Sequence, residues 1–419
     1  MIKVIAAILL STLPCCAVTC ADFKYDYYPC QRLNAESFQG ITIGDQIAAC
    51  VAALPPSGGI CNARDLPSGG TVPGLTITQS GVTIVGPCGT FNVTGTINIY
   101  NPDGISAFKW EMCGSSFNGN GTTLVWQGDA ASPMFRLRGV RDSILSDFSI
   151  NSSSAFPLAE GIRLETATGT TSTHRIYRNV KMNGTNTGGL IKGMRWCIGD
   201  DCGGAGPDGN NDVDLIDGVQ VANYTNCAFS IEGTQSKAHQ FTGQSFFAGN
   251  QIGQRGVCTT QAANPLRNSG SYHWQGGAGG GNTVADFDLG NPNDTITIRD
   301  FNLENSARLL QTGPVSSSTF PLTISGGRWA ANKLAPDNIV VLYQWNGPLF
   351  VEGSNIEGAP QNATPSISLT FPGATGVAIG NSISWVPASS GGQPFIGSGT
   401  WQKTGNLLTD NAGNVFPIQ

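Results

Sequence analysis

Apolar positions along this chain fall in short alternating runs rather than at helical spacing, and one template recurs. It reads Leu145-Ser-Asp147-Phe148-Ser-Ile150, Tyr177-Arg-Asn179-Val180-Lys-Met182, Ile216-Asp-Gly218-Val219-Gln-Val221 and Phe241-Thr-Gly243-Gln244-Ser-Phe246. It returns as Ile298-Arg-Asp300-Phe301-Asn-Leu303, Ile324-Ser-Gly326-Gly327-Arg-Trp329, Val351-Glu-Gly353-Ser354-Asn-Ile356 and Ile379-Gly-Asn381-Ser382-Ile-Ser384. The first position is apolar, the third Asp, Asn or Gly, and the sixth apolar except Ser384. An apolar residue ends one short strand, an Asp, Asn or Gly supplies a left-handed corner, and alternation resumes in the next strand. A degenerate copy fits around Tyr272 to Trp274.

Short strands bent at such corners, about once per 25–30 residues with no helical pattern between them, describe an all-β chain wound into a right-handed parallel β-helix, a solenoid whose turns stack about 4.8 Å apart. No Leu-x-x-Leu-x-Leu run supports a leucine-rich repeat, and a propeller blade needs roughly 40 residues. An open solenoid end exposes strand edges and needs a cap. The segment from Gln46 to Leu54, with Ile47, Val51 and Leu54 on one face, predicts an N-terminal capping helix over 45–54, started by Asp45 and stopped by Pro55-Pro56. The chain divides into a leader over 1–21, a cap over 22–70, the β-helix over 71–389 and an irregular closure over 390–419.

Only 12% of residues are charged and 56 are Gly, which argues against a helical bundle. The net charge of −6 comes without any basic run, so nucleic acid is not an expected partner. Lys3, the apolar run Val4 to Leu13 and the small residues up to Ala21 match a secretory signal cleaved near Ala21; lipidation at Cys20 is the competing reading. No run is long enough to span a membrane. Cysteines of an exported chain tend to pair, and Cys197 with Cys202 would close a tight loop; no Cys/His spacing suits zinc. The Asn-x-Ser/Thr sequons are about as frequent as chance allows and identify no source.

Together with the cap, the run Gly-Asp-Gln-Ile-Ala-Ala and then Leu-Pro-Pro-Ser-Gly-Gly-Ile-Cys-Asn-Ala-Arg, residues 44–49 and 54–64, resembles secreted right-handed parallel β-helix proteins of the pectate-lyase-like superfamily. The resemblance covers nearly the whole mature chain and implies the fold, with action on polysaccharides as that superfamily's commonest occupation. It also implies an active groove along one exposed sheet, walled by loops between turns.

The step from Val180 to Val219 is longer than its neighbours, and its excess holds Trp196, Asp200, Asp201, Asp208 and Asp212. Carboxylates beside an aromatic suit glycosidic chemistry: an acid for the leaving oxygen, a base for water, a flat face for the sugar. Gly199-Asp200-Asp201-Cys202 resembles the paired-aspartate motif of polygalacturonases, which implies Asp200 and Asp201 as acid and base. That family's Asn-Thr-Asp, Gly-His-Gly and Arg-Ile-Lys motifs are missing; His239, in Ala-His-Gln, is the remaining histidine candidate. The alternative to hydrolysis is calcium-assisted β-elimination. Asp208, Asp212 and Asp214 alternate as oxygen ligands would, without the Gly and Glu of a calcium loop, so Ca²⁺ is an optional ligand rather than a requirement.

Arg175 and Arg178 share repeat positions with Asp214 and Asp217, which predicts a surface ladder of ion pairs. Lys181 has no opposite charge in its column and is the candidate base for elimination. Trp329 and Trp274 read as core, whereas Trp196, Trp345 and Trp385 fall outside that column as candidate sugar-stacking faces. The expectation is an exported β-helix acting on an acidic or pectin-like polysaccharide, as hydrolase or lyase; the rival is a non-catalytic carbohydrate-binding or adhesion module. Oligomeric state is open, with a lateral trimer among the options.

Overall fold

The computed structural model describes residues 31–114, 121–167, 170–197, 202, 211–232, 236–259, 271–289, 295–312, 319–330, 340–342, 347–357, 367–369, 375–384, 395–397, 400–409 and 415–418. The leader expected over 1–21 and Cys30 lie outside them, and among the described residues no helix is long and apolar enough to cross a membrane.

The expected solenoid is present. Each turn contributes one strand to a 12-stranded sheet and two, separated by the corner, to a 26-stranded sheet. Pairing between turns is parallel from Arg32 to Thr409. The right-handed sense is the one that strand twist imposes on parallel crossovers. One inward column runs Leu145, Tyr177, Ile216, Phe241, Trp274, Ile298, Ile324, Val351 and Ala378. Across the corner it is answered by Met182, Val221, Phe247, Gly279, Leu303, Trp329, Ile356 and Ile383. Aromatic rings fill the middle turns: Phe241 stacks on Trp274 at 4.5 Å and Phe287 meets Phe301 at 4.9 Å. Trp274 and Trp329 are core, as expected.

Seven of the eight predicted corners have positive φ at the expected residue: Asp147, Asn179, Gly218, Gly243, Asp300, Gly326 and Gly353. The eighth is displaced by one. Gly380, not Asn381, takes φ +63°, so the block begins at Ala378 and Ile383 is its sixth residue. The apparent exception at Ser384 was a register error, since a one-residue slip exchanges the faces of a strand. In the block at Phe241 the corner carries one extra residue, so Phe247 rather than Phe246 turns inward. The Ser245 hydroxyl fills that wider corner, donating to Ile216 O and Thr242 O.

The cap helix spans Ile43–Ala52, and its start differs from expectation. Thr42 is the N-cap; Asp45 is its third residue and completes a capping box, accepting from the Thr42 backbone while Thr42 Oγ1 accepts from Asp45 N. Ile47, Cys50 and Val51 are buried, and Cys50–Cys61 ties the helix to the strand Gly59–Asn62. At the other end the coil outlasts the expected limit of 389. Strands Thr400–Thr404 and Asn406–Thr409 make another corner at Gly405, and Val415–Ile418 pairs antiparallel with the latter, covering an edge that would otherwise stay open. Further disulfides join Cys88–Cys113, Cys227–Cys258 and, as expected, Cys197–Cys202.

Candidate functional site

The strands of the 12-stranded sheet turn Phe135, Ile162, Met194, Phe229 and Val257 inward in one column and Leu137, Leu164, Trp196 and Ile231 in the next. The residues between them face outward, and there Arg136, Arg163 and Arg195 stand on successive turns. Three guanidinium groups stacked at strand spacing would repel one another. Carboxylates from the flanking columns separate them. Glu165 binds Arg136 at 2.8 Å, Glu160 binds Arg163 at 2.7 Å and Arg195 at 3.0 Å, and Glu232 binds Arg195 at 2.7 Å and also Lys192. The network continues through Arg255–Asp288, Gln311 on Asp288, and Arg308 on Gln311. At its near end Arg138 lies over the Tyr100 ring at 4.6 Å.

The carboxylates are the enclosed partners: side-chain exposure is 0% for Glu165 and 12% for Glu232, against 25% for Arg136 and 21% for Arg195. Burial alone would raise the Glu232 pKa, but Lys192 and Arg195 outweigh it and hold it below the ordinary carboxylate range. That is the opposite of what a proton donor needs. Asp286 has a pKa raised to about 7 by burial, but it is wholly buried against Asn282 and Ser306, away from this face. Basic groups outnumber carboxylates across the face, so it suits an anionic partner.

Sequence reading missed this set. A signal was available: Glu160-Gly-Ile-Arg163 and Lys192-Gly-Met-Arg195 are a second template, 32 residues apart, in register with the corner blocks.

The connection 198–210 leaves this sheet after Cys197. The Cys197–Cys202 disulfide packs on Glu165; sulfurs bonded to each other offer no thiolate, so this grouping is no metal site. Asp200, Asp201, Asp208, Trp345 and Trp385 lie outside the described residues. The returning end of the connection is anchored inside the coil. Asn211 donates to Leu164 O and Cys197 O and accepts from Arg175, while Asp214 takes Arg175 Nε and N on Oδ1 and Arg175 Nη2 and Trp196 Nε1 on Oδ2.

Four expectations are corrected by this anchor. Arg175–Asp214 is fully buried rather than a surface pair, because both residues occupy an inward column; Arg178–Asp217, at 3.2 Å, is exposed as expected. Asp214 has both oxygens engaged by Arg175 and Trp196 and is not open to calcium; of the other two expected ligands, Asp212 is half-buried and Asp208 lies outside the described residues. Trp196 is fully buried with its ring 4.9 Å from His239, and offers no face to a sugar. His239 is fully buried, and burial lowers its pKa to about 4, so it is no surface acid or base. Lys181 stands on the larger sheet between Ser149 and Gln220, not beside these groups.

No protein-family model and no curated protein matches the chain. Among solved structures it is similar to the Streptococcus pneumoniae surface protein and adhesin PfbA (10% identity, TM-score 0.48, 91% of this chain and 98% of that one). It is also similar to the tailspike protein gp49 of Acinetobacter baumannii bacteriophage Fri1, a capsular polysaccharide depolymerase (11%, 0.45), of which it spans 57% while 90% of this chain is covered. A third is the catalytic unit of a GH87 alpha-1,3-glucanase from Streptomyces thermodiastaticus (10%, 0.44, 94% of this chain and 72% of that one). At these identities nothing about activity transfers.

Proposed function

We propose that this exported β-helix engages an acidic polysaccharide along the outer face of the 12-stranded sheet, and cleaves it with a carboxyl from the 198–210 connection. The observation that supports this most is the row Arg136, Arg163, Arg195 on adjacent turns, each fixed by an enclosed carboxylate, with Arg136 and Arg195 partly open to solvent and Arg163 buried between them. Arginines held this way are preorganised for the carboxylates or sulfates of a polymer lying along the solenoid axis. Glu232, held ionised, fits a water-activating base; the protonated partner would be Asp200 or Asp201, on the connection that leaves this same edge.

A second reading, a binding module without turnover, is favoured by the pairing of every carboxylate of the face with a cation. One experiment separates them. Binding and product formation are measured on polygalacturonate, alginate and a neutral glucan, scoring reducing ends and unsaturated products. Wild type should prefer the anionic polymers, and Arg195→Gln should weaken binding about tenfold, roughly 1.4 kcal/mol. Asp201→Asn should abolish turnover and spare binding. Reducing ends alone support hydrolysis, unsaturated products elimination, and binding without either the second reading. Chelation should leave binding unchanged. Equal affinity for the neutral glucan, untouched by Arg195→Gln, would overturn the proposal.

A further inference from the structure

We propose that the interior corner where Arg175, Asp214 and His239 follow one another on neighbouring turns is a hydration site holding long-lived internal water. It lies behind Trp196, inside the coil, and is independent of any activity on the outer face.

Arg175 Nη2 and Trp196 Nε1 both reach Asp214 Oδ2 at 2.7 Å, and His239 Nδ1 stands 3.7 Å from the same oxygen. The three side chains therefore converge on one point. Tyr272 pairs with His239 on the next turn, and Tyr177 lies two residues beyond Arg175 on the same strand. All of these residues are fully buried. Yet Arg175 Nη1, both ring nitrogens of His239 and the hydroxyl of Tyr177, which lies in the field of Arg175 and Asp214, have no hydrogen-bond partner. Buried polar atoms are rarely left so, and orphans gathered within one corner point to a shared partner that is not protein.

The lining selects that partner. A neutral imidazole presents one donor and one acceptor, the Tyr177 hydroxyl both, and Arg175 Nη1 a donor. Such a mixture suits water, which needs two to four polar neighbours in a polar cavity. An anion is disfavoured, because Asp214 already neutralises Arg175 and Asp212 adds a second carboxylate nearby. A metal is disfavoured as well: among the described residues, the one grouping with metal-ligand geometry is Glu165 with the Cys197–Cys202 disulfide, and it does not include His239.

Two measurements on the intact protein test this. A crystal structure should show ordered water within hydrogen-bond distance of Arg175 Nη1 or a His239 ring nitrogen. Water-oxygen magnetic relaxation dispersion should count at least one slowly exchanging internal water, reduced in Tyr177→Phe or His239→Phe. Tyr177→Phe removes only the hydroxyl and is the conservative arm; if either variant fails to fold, the wild-type density and dispersion still decide. Protein groups occupying these bonds, a bound ion, a dry corner, or a dispersion amplitude unchanged in both folded variants would overturn the proposal.

Discussion

His239 and Asp286 are both fully buried where the charged form is disfavoured, and burial sets the direction of each shift. His239 is lowered from 6.5 to about 4, chiefly by burial, with Asp214 opposing and Arg175 adding to the effect. The unfolded chain therefore binds the extra proton first, and stability is full above pH 6.5 and is lost as pH falls toward 4, by about 3 kcal/mol. Asp286 is raised from 3.8 to about 7 by burial, against hydrogen bonds from Ser306 and Asn282. Its stability contribution is full below pH 3.8 and is lost as pH rises through 7, by about 4 kcal/mol. Denaturant midpoints across pH 4–8 should show both slopes. His239→Phe should remove the acid-side loss, and Asp286→Asn should stabilise the protein at pH 8 while changing little at pH 4.

At the scale of elements, the strands Leu190–Cys197 and Arg175–Asn183 show why a polar side chain can serve an inward column. Arg175 enters the interior only because Asp214 and Asn211, from the returning end of the 198–210 connection, meet its guanidinium. Removing one partner strands a buried charge, so Arg175→Met should destabilise by about 3–5 kcal/mol. Adding Asp214→Leu should recover much of that loss, a coupling that a double-mutant cycle measures directly. The recovery is expected to be partial, because Trp196 Nε1 loses its acceptor in the double variant. The Cys197–Cys202 bond and the Asn211 anchor hold the residues at either end of the 198–210 connection.

At the scale of the whole molecule, each turn touches its neighbours and the two ends carry the exposed edges. The cap helix closes one end, and the antiparallel strand Val415–Ile418 covers part of the other. Truncation after Thr409 should uncover the edge of Asn406–Thr409 and produce concentration-dependent oligomers by light scattering, with little change in far-UV circular dichroism. The coil itself was legible in the sequence because its signals are local: alternation within a strand, and an Asp, Asn or Gly able to adopt positive φ where the strand bends. Phe247 turns inward one residue later than expected because a corner accepts an extra residue without altering that local code, whereas at Ile383 the adjacent Gly380 and Asn381 can each supply the corner, so the local code leaves the register open by one. The charged face was legible in principle, as the Glu160–Arg163 and Lys192–Arg195 templates show, but its meaning was not. Whether Arg175, Trp196, Asp214 and His239 face solvent or one another depends on turns roughly 25–40 residues apart stacking in register; only the folded coil brings those distant columns into contact and decides which charges are solvated, which are paired and which are sealed inside.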